Sequence, residues 1–138
     1  TQSALDAAGS VLSDGMIEEA NWDSQSGYEA AVRLLRRYPT TDAIFAHNDH
    51  MGIGVLHALY DMNYRVPFDC AVIGCDDLPV SAHTIPPLTS IHIPVYETGR
   101  RAVQVLLDKI EADETQPNPS ILLPTSVVER QSTMKGSI

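Results

Sequence analysis

The sequence predicts an α/β fold, a mainly parallel β-sheet with flanking helices. Three observations predict it. Two short apolar runs, Ala43 to Ala46 and Cys70 to Gly74, read as buried strands. A helical pattern starting near Asp49 lies between them, so strand, crossover helix and strand form a βαβ unit. The alternation of apolar runs with helical stripes then continues along the chain. Both runs end abruptly in polar residues: His47, Asn48 and Asp49 after the first, Asp76 and Asp77 after the second. Ligands of open parallel sheets sit outside the carboxyl ends of the strands, so a site is sought at these two clusters.

The bulk numbers narrow the class. The 138 residues suit about one domain, and 43% hydrophobic with 20% charged residues describes a globular chain rather than a disordered one. The formal net charge is −9, and no basic cluster exceeds Arg36–Arg37 or Arg100–Arg101. This segment is therefore a poor candidate for gripping phosphate backbones. No apolar run is long enough to cross a bilayer, and nothing reads as a signal peptide. Cys70 and Cys75 flank one predicted strand at odd spacing, so they should point to opposite faces. Both read as core thiols rather than a disulfide, a pattern that suits the cytoplasm.

The elements follow in order. Ala4 to Ala8 reads as the last turns of a helix with Gly9 as its C-cap. Such an opening suggests a fragment of a longer protein. Val11 to Gly15 is a loop, and Met16 to Ala20 a short strand interrupted by Glu18 and Glu19. The next helix has Asp23 as N-cap, with Ser26 and Glu29 as a capping-box alternative. Its stripe is Tyr28, Ala31, Val32 and Leu35, and Pro39 stops it. Asn48 or Asp49 caps the crossover helix, whose buried face is Met51, Val55, Leu59 and Met62. Gly52 and Gly54 each cost that helix roughly 1 kcal/mol relative to Ala, which implies a close approach to the sheet or to another subunit. Asn63 takes the left-handed position at its end.

The segment LPVSAHTIPPLTS is too rich in Pro and Ser for regular structure. Ile91 to Ile93 reads as a short strand. Val95 to Ala112 is the clearest helix, with Gly99, Ala102, Val103, Leu106, Leu107 and Ile110 along one face. Asp113 to Ser120 reads as a linker, and Ile121 to Leu123 and Val127 to Glu129 as short strands around Pro124. The strands available are too few and short to cover the stripe of the long helix, so it needs a partner surface.

Parallel strands would bring Trp22, the trio His47-Asn48-Asp49 and the pair Asp76-Asp77 to one rim. An indole face is a platform for a sugar ring, and amide and carboxylate groups engage adjacent hydroxyls in pairs. The bland alternatives stand beside this one: Trp22 as a core residue, and Asn48 or Asp49 as an N-cap only. His47 and His50 form H-x-x-H, but helical zinc sites favour i, i+4 spacing and no third ligand is near in sequence, which disfavours a metal. His57, His83 and His92 read as surface or interface residues. Asp76-Asp77 is comparable with the acidic pair that holds Mg²⁺ in phosphoreceiver domains, but the later phosphoacceptor Asp and Lys are missing. Ser81 and Ser90 lie in no nucleophile elbow, and there is no Gly-rich phosphate loop. A non-enzymatic role without a cofactor is expected.

Taken together, the segments SGYEAAVRLL, TDAIFAHNDHMGIGVLHAL, RVPFDCAVIGCDDLP, IPPLTSIHIPVYETGRRAVQVLL and LLPTSVVERQST resemble the lactose-repressor (LacI/GalR) family of bacterial transcription regulators. They span nearly the whole chain in the family's order. The resemblance implies a Rossmann-like sheet forming part of a two-lobe, periplasmic-binding-protein-like fold. It implies the C-terminal portion of an effector-binding domain, with the DNA-binding headpiece absent. Residues 1–92 and 120–133 would belong to the C-terminal lobe, and helix 95–112 to the N-terminal lobe, whose absence would leave the stripe unpartnered. Such a piece should associate, for instance by exchanging that helix.

The resemblance also implies roles. Trp22 would stack on a sugar, the Asn48 amide would contact ligand hydroxyls, and the Asp76 carboxylate would bind them. His47, Cys75 and Ile93 depart from the family's usual small, aromatic and Gln residues. Ile53 and His57 on the helix, with Val80, Ala82, His83 and Thr84 on the following loop, would form a homodimer interface. The implied function is a cytoplasmic regulator sensing a sugar or sugar derivative. A periplasmic-type transport receptor is the second expectation, and the Mg²⁺ phosphoreceiver the third.

Overall fold

The structure is a computed structural model that describes Leu5, Ala7, Gly9 and residues 11–111 and 120–134. Strands β1 (Ala43–Phe45), β2 (Ala71–Asp76), β3 (Thr89–His92) and β4 (Ser126–Val128) make one sheet in the order β1-β2-β3-β4. β1, β2 and β3 are parallel, and β4 runs antiparallel to β3. Helices α1 (Ser24–Arg37), α2 (Asp49–Asp61) and α3 (Val95–Glu111) complete the fold, and a short 3₁₀ helix spans Pro79–His83. The α/β expectation with a mainly parallel sheet holds, and so does the opening βαβ unit.

The helix signals are realised with local detail. The Asp23 carboxylate accepts from the Ser26 amide and caps α1. The capping-box alternative is not used: the Ser26 hydroxyl accepts from the Asn21 amide and donates to the Asp23 carbonyl. Asn48, not Asp49, caps α2 through the Met51 amide. Asn63 and Gly9 take the positive φ expected of helix ends, at 62° and 73°.

The core lies between α1, α2 and one face of the sheet. Ala31, Leu34 and Leu35 meet Val55, Leu56, Ala58 and Leu59 above Ile44, Val72 and Leu88. The close approach inferred from Gly52 and Gly54 is real and internal. A Cβ on Gly52 would lie 2.9 Å from Leu88 Cδ2, and one on Gly54 would lie 2.0 Å from the Ser24 carbonyl oxygen. Gly52 therefore faces the sheet and Gly54 faces α1. The other subunit is not needed to explain either.

Four strand expectations need correction. Residues 17–20 are in no strand, and Asp14–Met16 forms a 3₁₀ turn instead. Glu18 does not alternate in a ladder; it accepts from Arg33 and Arg37 and clamps this segment to α1. Ile121 to Leu123 is likewise irregular, while the last strand forms one residue earlier than expected, at Ser126–Val128. β3 also starts earlier, at Thr89, because Ser132 reaches in from the C-terminal segment and pairs with the Thr89 amide and the Val72 carbonyl. The Asp113 to Ser120 linker lies outside the described residues except for Ser120.

α3 forms as expected and buries no residue. Its stripe is open, with Leu106 at 59% and Ile110 at 71% exposure. Among the described residues, no helix is long and apolar enough to cross a membrane.

Candidate functional site

The site is built where β1 and β2 end. Asn48 follows β1 and is 6% exposed. Its side-chain oxygen accepts from the Met51 amide at 2.7 Å, and its side-chain nitrogen donates to the Trp22 carbonyl at 2.8 Å. One amide thus caps α2 and ties the loop before α1 to the end of β1. Trp22 sits in the left-handed region at φ 65° and is 67% exposed. The core alternative for Trp22 is therefore wrong: among the described residues the side chain stays open to solvent. A bulky residue held at positive φ costs of order 1–3 kcal/mol, which the Asn48 tether helps to sustain.

Replacing Asn48 by Ala removes both bonds. Caps contribute about 1 kcal/mol and the second bond a similar amount, so a loss of roughly 2 kcal/mol is expected in urea denaturation. Tryptophan fluorescence should report a looser indole. An unchanged midpoint would show that the cap is carried elsewhere.

Asp76 ends β2 at φ 107°, and Asp77 follows at φ 55°. Two consecutive non-glycine residues at positive φ mark a strained turn, and they send the two carboxylates different ways. Asp77 turns inward. It accepts from Arg130 at 2.5 Å and pairs with His92 Nδ1 at 3.1 Å, while its amide donates to the Ser90 hydroxyl. Burial pushes its carboxyl up, but the Arg130 and His92 bonds more than offset this and hold it below the usual carboxylate range.

Asp76 stays at the rim. No described residue donates a hydrogen bond to its carboxylate. Partial burial raises its pKa, the negative charge of Asp49 raises it further, and His50 pulls the other way. Those electrostatic neighbours place Asp76 beside the N-terminal turn of α2. The register sets His92 opposite Asp76 on the neighbouring strand. Asn48 and Asp76 thus lie at the ends of neighbouring parallel strands, as the parallel-strand argument required, whereas Trp22 follows no strand and is held at this end by the Asn48 amide.

Asp49 is different from its neighbours. It is fully buried, and its carboxylate accepts from the Leu78 amide and from the hydroxyls of Ser81 and Ser90. It belongs beneath the rim rather than on it. Ser81 and Ser90, read only as unsuitable nucleophiles, are its donors. Sequence alone could not pair them, since they lie 32 and 41 residues away. Arg130 was missed for the same reason, at 53 residues from Asp77.

Both thiols are set against reactivity. Burial and Asp42 push Cys70 up to about 12, and burial with Asp76 raises Cys75. Among the described residues, no three His, Cys, Asp or Glu side chains gather where a metal could sit. A shallow recess of about 320 Å³ lies beside Glu19, Asn21, Glu29 and Arg33. It excludes Trp22, Asn48 and Asp76, and Arg33 in its wall is already engaged by Glu18.

Comparisons with known proteins place the chain in a family. A model of the periplasmic binding protein-like domain matches residues 2–133. The transcriptional regulator CelR of Thermobifida fusca is 37% identical over 129 residues, 94% of this chain and 38% of that protein. The ribose operon repressor of Escherichia coli K12 is 36% identical over 95% of this chain and 39% of its own length. The chain thus spans about two fifths of these relatives. Among solved structures, a CelR–cellobiose complex superposes with a TM-score of 0.87 at 36% identity, covering 95% of this chain and 40% of that one. A lac repressor dimer bound to operator and an anti-inducer matches at a TM-score of 0.77 and 32% identity, covering 84% and 34%. The chain therefore belongs to the periplasmic binding protein-like domain family, in the form carried by LacI-type transcriptional regulators.

Proposed function

We propose that this chain is the effector-sensing part of a bacterial transcriptional regulator. It binds a sugar or sugar derivative in a cleft between two lobes, and the bound state changes the affinity of a dimer for its operator. The role is binding rather than catalysis, in the cytoplasm, with DNA contacted by a separate headpiece. The observation that carries this is the Asp76 carboxylate. It lies at the carboxyl end of a parallel strand, on strained backbone, partly desolvated and without a donor from the described residues. A vicinal diol would supply two donors to it. Trp22 offers an exposed ring at the same edge, and Asn48 positions Trp22 while retaining a second N–H and lone pair for hydroxyls.

In this reading residues 1–92 and 120–133 form one lobe, and α3 packs in the other, which covers its open stripe. The dimer surface is the outer side of α2, with Ile53 and His57, continued by Val80, Ala82, His83 and Thr84. Val80 is 45% exposed, and the neighbouring Ile85 is 95% exposed, so this edge is apolar and open. Ile85 belongs with the predicted set although sequence reasoning passed over it.

The other two expectations are weaker. CelR and the ribose operon repressor are regulators, which favours regulation over a transport receptor. A Mg²⁺ phosphoreceiver would need both carboxylates of the acidic pair, and Asp77 is held by Arg130 and His92.

Calorimetry on the full-length protein with a panel containing cellobiose, lactose and ribose tests the proposal. Binding of at least one sugar is expected. Asp76→Ala should weaken it about 100-fold, since two hydrogen bonds to a charged group contribute together about 3 kcal/mol. Trp22→Ala should weaken it about tenfold through lost ring contact. Sugar binding that ignores both substitutions would place the site elsewhere.

A further inference from the structure

We infer that Asp49 is a positioning residue that couples the effector rim to the loop carrying the dimer contacts. The inference rests on the regulator reading above and names the device that would transmit its signal.

A fully buried carboxylate is costly unless hydrogen bonds satisfy it. Asp49 is satisfied entirely by neutral donors, two from the Leu78–Ser81 segment and one from β3. Its Oδ2 accepts from the Leu78 amide at 2.8 Å and from Ser81 Oγ at 2.6 Å, and its Oδ1 accepts from Ser90 Oγ at 2.5 Å. The first turn of α2 adds favourable dipoles from its amide groups.

The donors mark two structural units, the Leu78–Ser81 segment and strand β3. Leu78 closes the strained turn that holds Asp76. Ser81 is the fully buried residue of the 3₁₀ helix Pro79–His83, which presents Val80, Ala82 and His83 outward. Ser90 lies in β3 and also accepts from the Asp77 amide. The Ser81 backbone extends the connection: its carbonyl accepts from the Leu88 amide and from the Thr84 hydroxyl. The turn at Asp76 runs straight into the 3₁₀ helix, where the Leu78 carbonyl accepts from the Ser81 amide. Asp49 Oδ2 fastens the Leu78 amide and the Ser81 hydroxyl to the start of α2, so a change at Asp76 meets the loop at this carboxylate.

A second observation points the same way. Gly74 sits in β2 opposite Asp49, and a Cβ there would lie 2.3 Å from Asp49 Oδ1. A glycine inside a strand weakens it. Here its absent side chain is the space the carboxylate occupies. The site is thus built around Asp49 from both sides.

A carboxylate suits this donor set. Three donors converge on its two oxygens, whereas an asparagine offers one oxygen and its NH₂ group would have to reverse the Ser90 bond. Asp49→Asn should therefore disturb the rim and the loop together. Ser81→Ala cuts only the arm to the loop. The two variants separate positioning from folding.

The experiment uses the full-length dimer, with cellobiose, lactose and ribose as probes. Calorimetry reads sugar affinity, and hydrogen exchange reads the Val80–Thr84 amides with and without sugar. In the wild type, bound sugar should change loop exchange by about fivefold or more, the lower range of allosteric coupling. Ser81→Ala should keep sugar affinity within about threefold, as distant sites do, and lose the exchange response. Asp49→Asn should weaken both. Should Asp49→Asn fail to fold, Ser81→Ala decides alone. A wild type that responds, with Ser81→Ala responding equally, overturns the coupling role. A wild type whose affinity and loop exchange no sugar moves overturns the regulator reading, and this inference with it.

Discussion

Gly54→Ala is expected to destabilise the fold by about 2 kcal/mol or more, although alanine is the better helix former. The gain in propensity is roughly 1 kcal/mol. Against it stands a backbone clash. The new Cβ would lie 2.0 Å from the Ser24 carbonyl oxygen and 2.7 Å from the Tyr28 nitrogen. Both atoms are main chain, so no side chain can swing aside. α1 and α2 would have to separate, opening the contact between Leu34, Leu35 and the Val55–Leu59 face. Overpacking of a core typically costs 1–3 kcal/mol, and backbone against backbone belongs at or beyond the upper end. Gly99→Ala is the control of opposite sign. Among the described residues nothing lies within 4 Å of a Cβ there, so in this chain on its own, where the stripe of α3 is open, a helix propensity gain of up to about 1 kcal/mol should appear. Urea denaturation of both variants, at one protein concentration, separates the two expectations. If Gly54→Ala raises the midpoint as Gly99→Ala does, the helix crossing is not as close as described.

Gly52 and Gly54 show what the sequence could and could not convey. A glycine inside an amphipathic helix signals a close approach without saying to what. Here the answers differ two residues apart: the sheet for Gly52 and α1 for Gly54. The βαβ unit was legible because its strands are continuous apolar runs and its helix carries a cap and a stripe. The Met16–Ala20 expectation failed because a strand exists only if a neighbour pairs with it. Glu18 found Arg33 and Arg37 instead. At the site, the places of Asn48 and Asp76 followed from strand ends, while Trp22 reaches them from a loop through its carbonyl bond to Asn48. What lay beneath the rim did not follow, because Asp49, Ser81, Ser90 and Arg130 meet only through folding. No periodicity links residues 30 to 50 positions apart, and a buried Asp looks in sequence like any cap.

Arg130→Met should cost about 3 kcal/mol at neutral pH, and most of that cost should vanish in acid. The guanidinium donates to Asp77 Oδ1 and to the Leu88 carbonyl, and both charged side chains are only 17% exposed. Methionine keeps the length and the apolar stem but leaves a largely buried carboxylate with His92 as its remaining partner. Removing one member of a buried pair is strongly destabilising, because the other charge stays desolvated. The sign with pH follows from Asp77. Its folded pKa is depressed below the unfolded carboxylate value near 4. Its contribution is therefore present above that value and is lost as pH falls through the lower folded one. In the variant the depression is relieved, so acid removes less. The stability difference between the two proteins should shrink from pH 7 toward pH 3. Asp77→Asn in the Arg130→Met background should recover part of the loss at pH 7, since the uncompensated charge is gone. Denaturation midpoints across that pH range decide the matter. A cost equal at both ends and untouched by Asp77→Asn would mean that Arg130 acts through the Leu88 carbonyl, and that the inward turn of Asp77 does not depend on its ion pair.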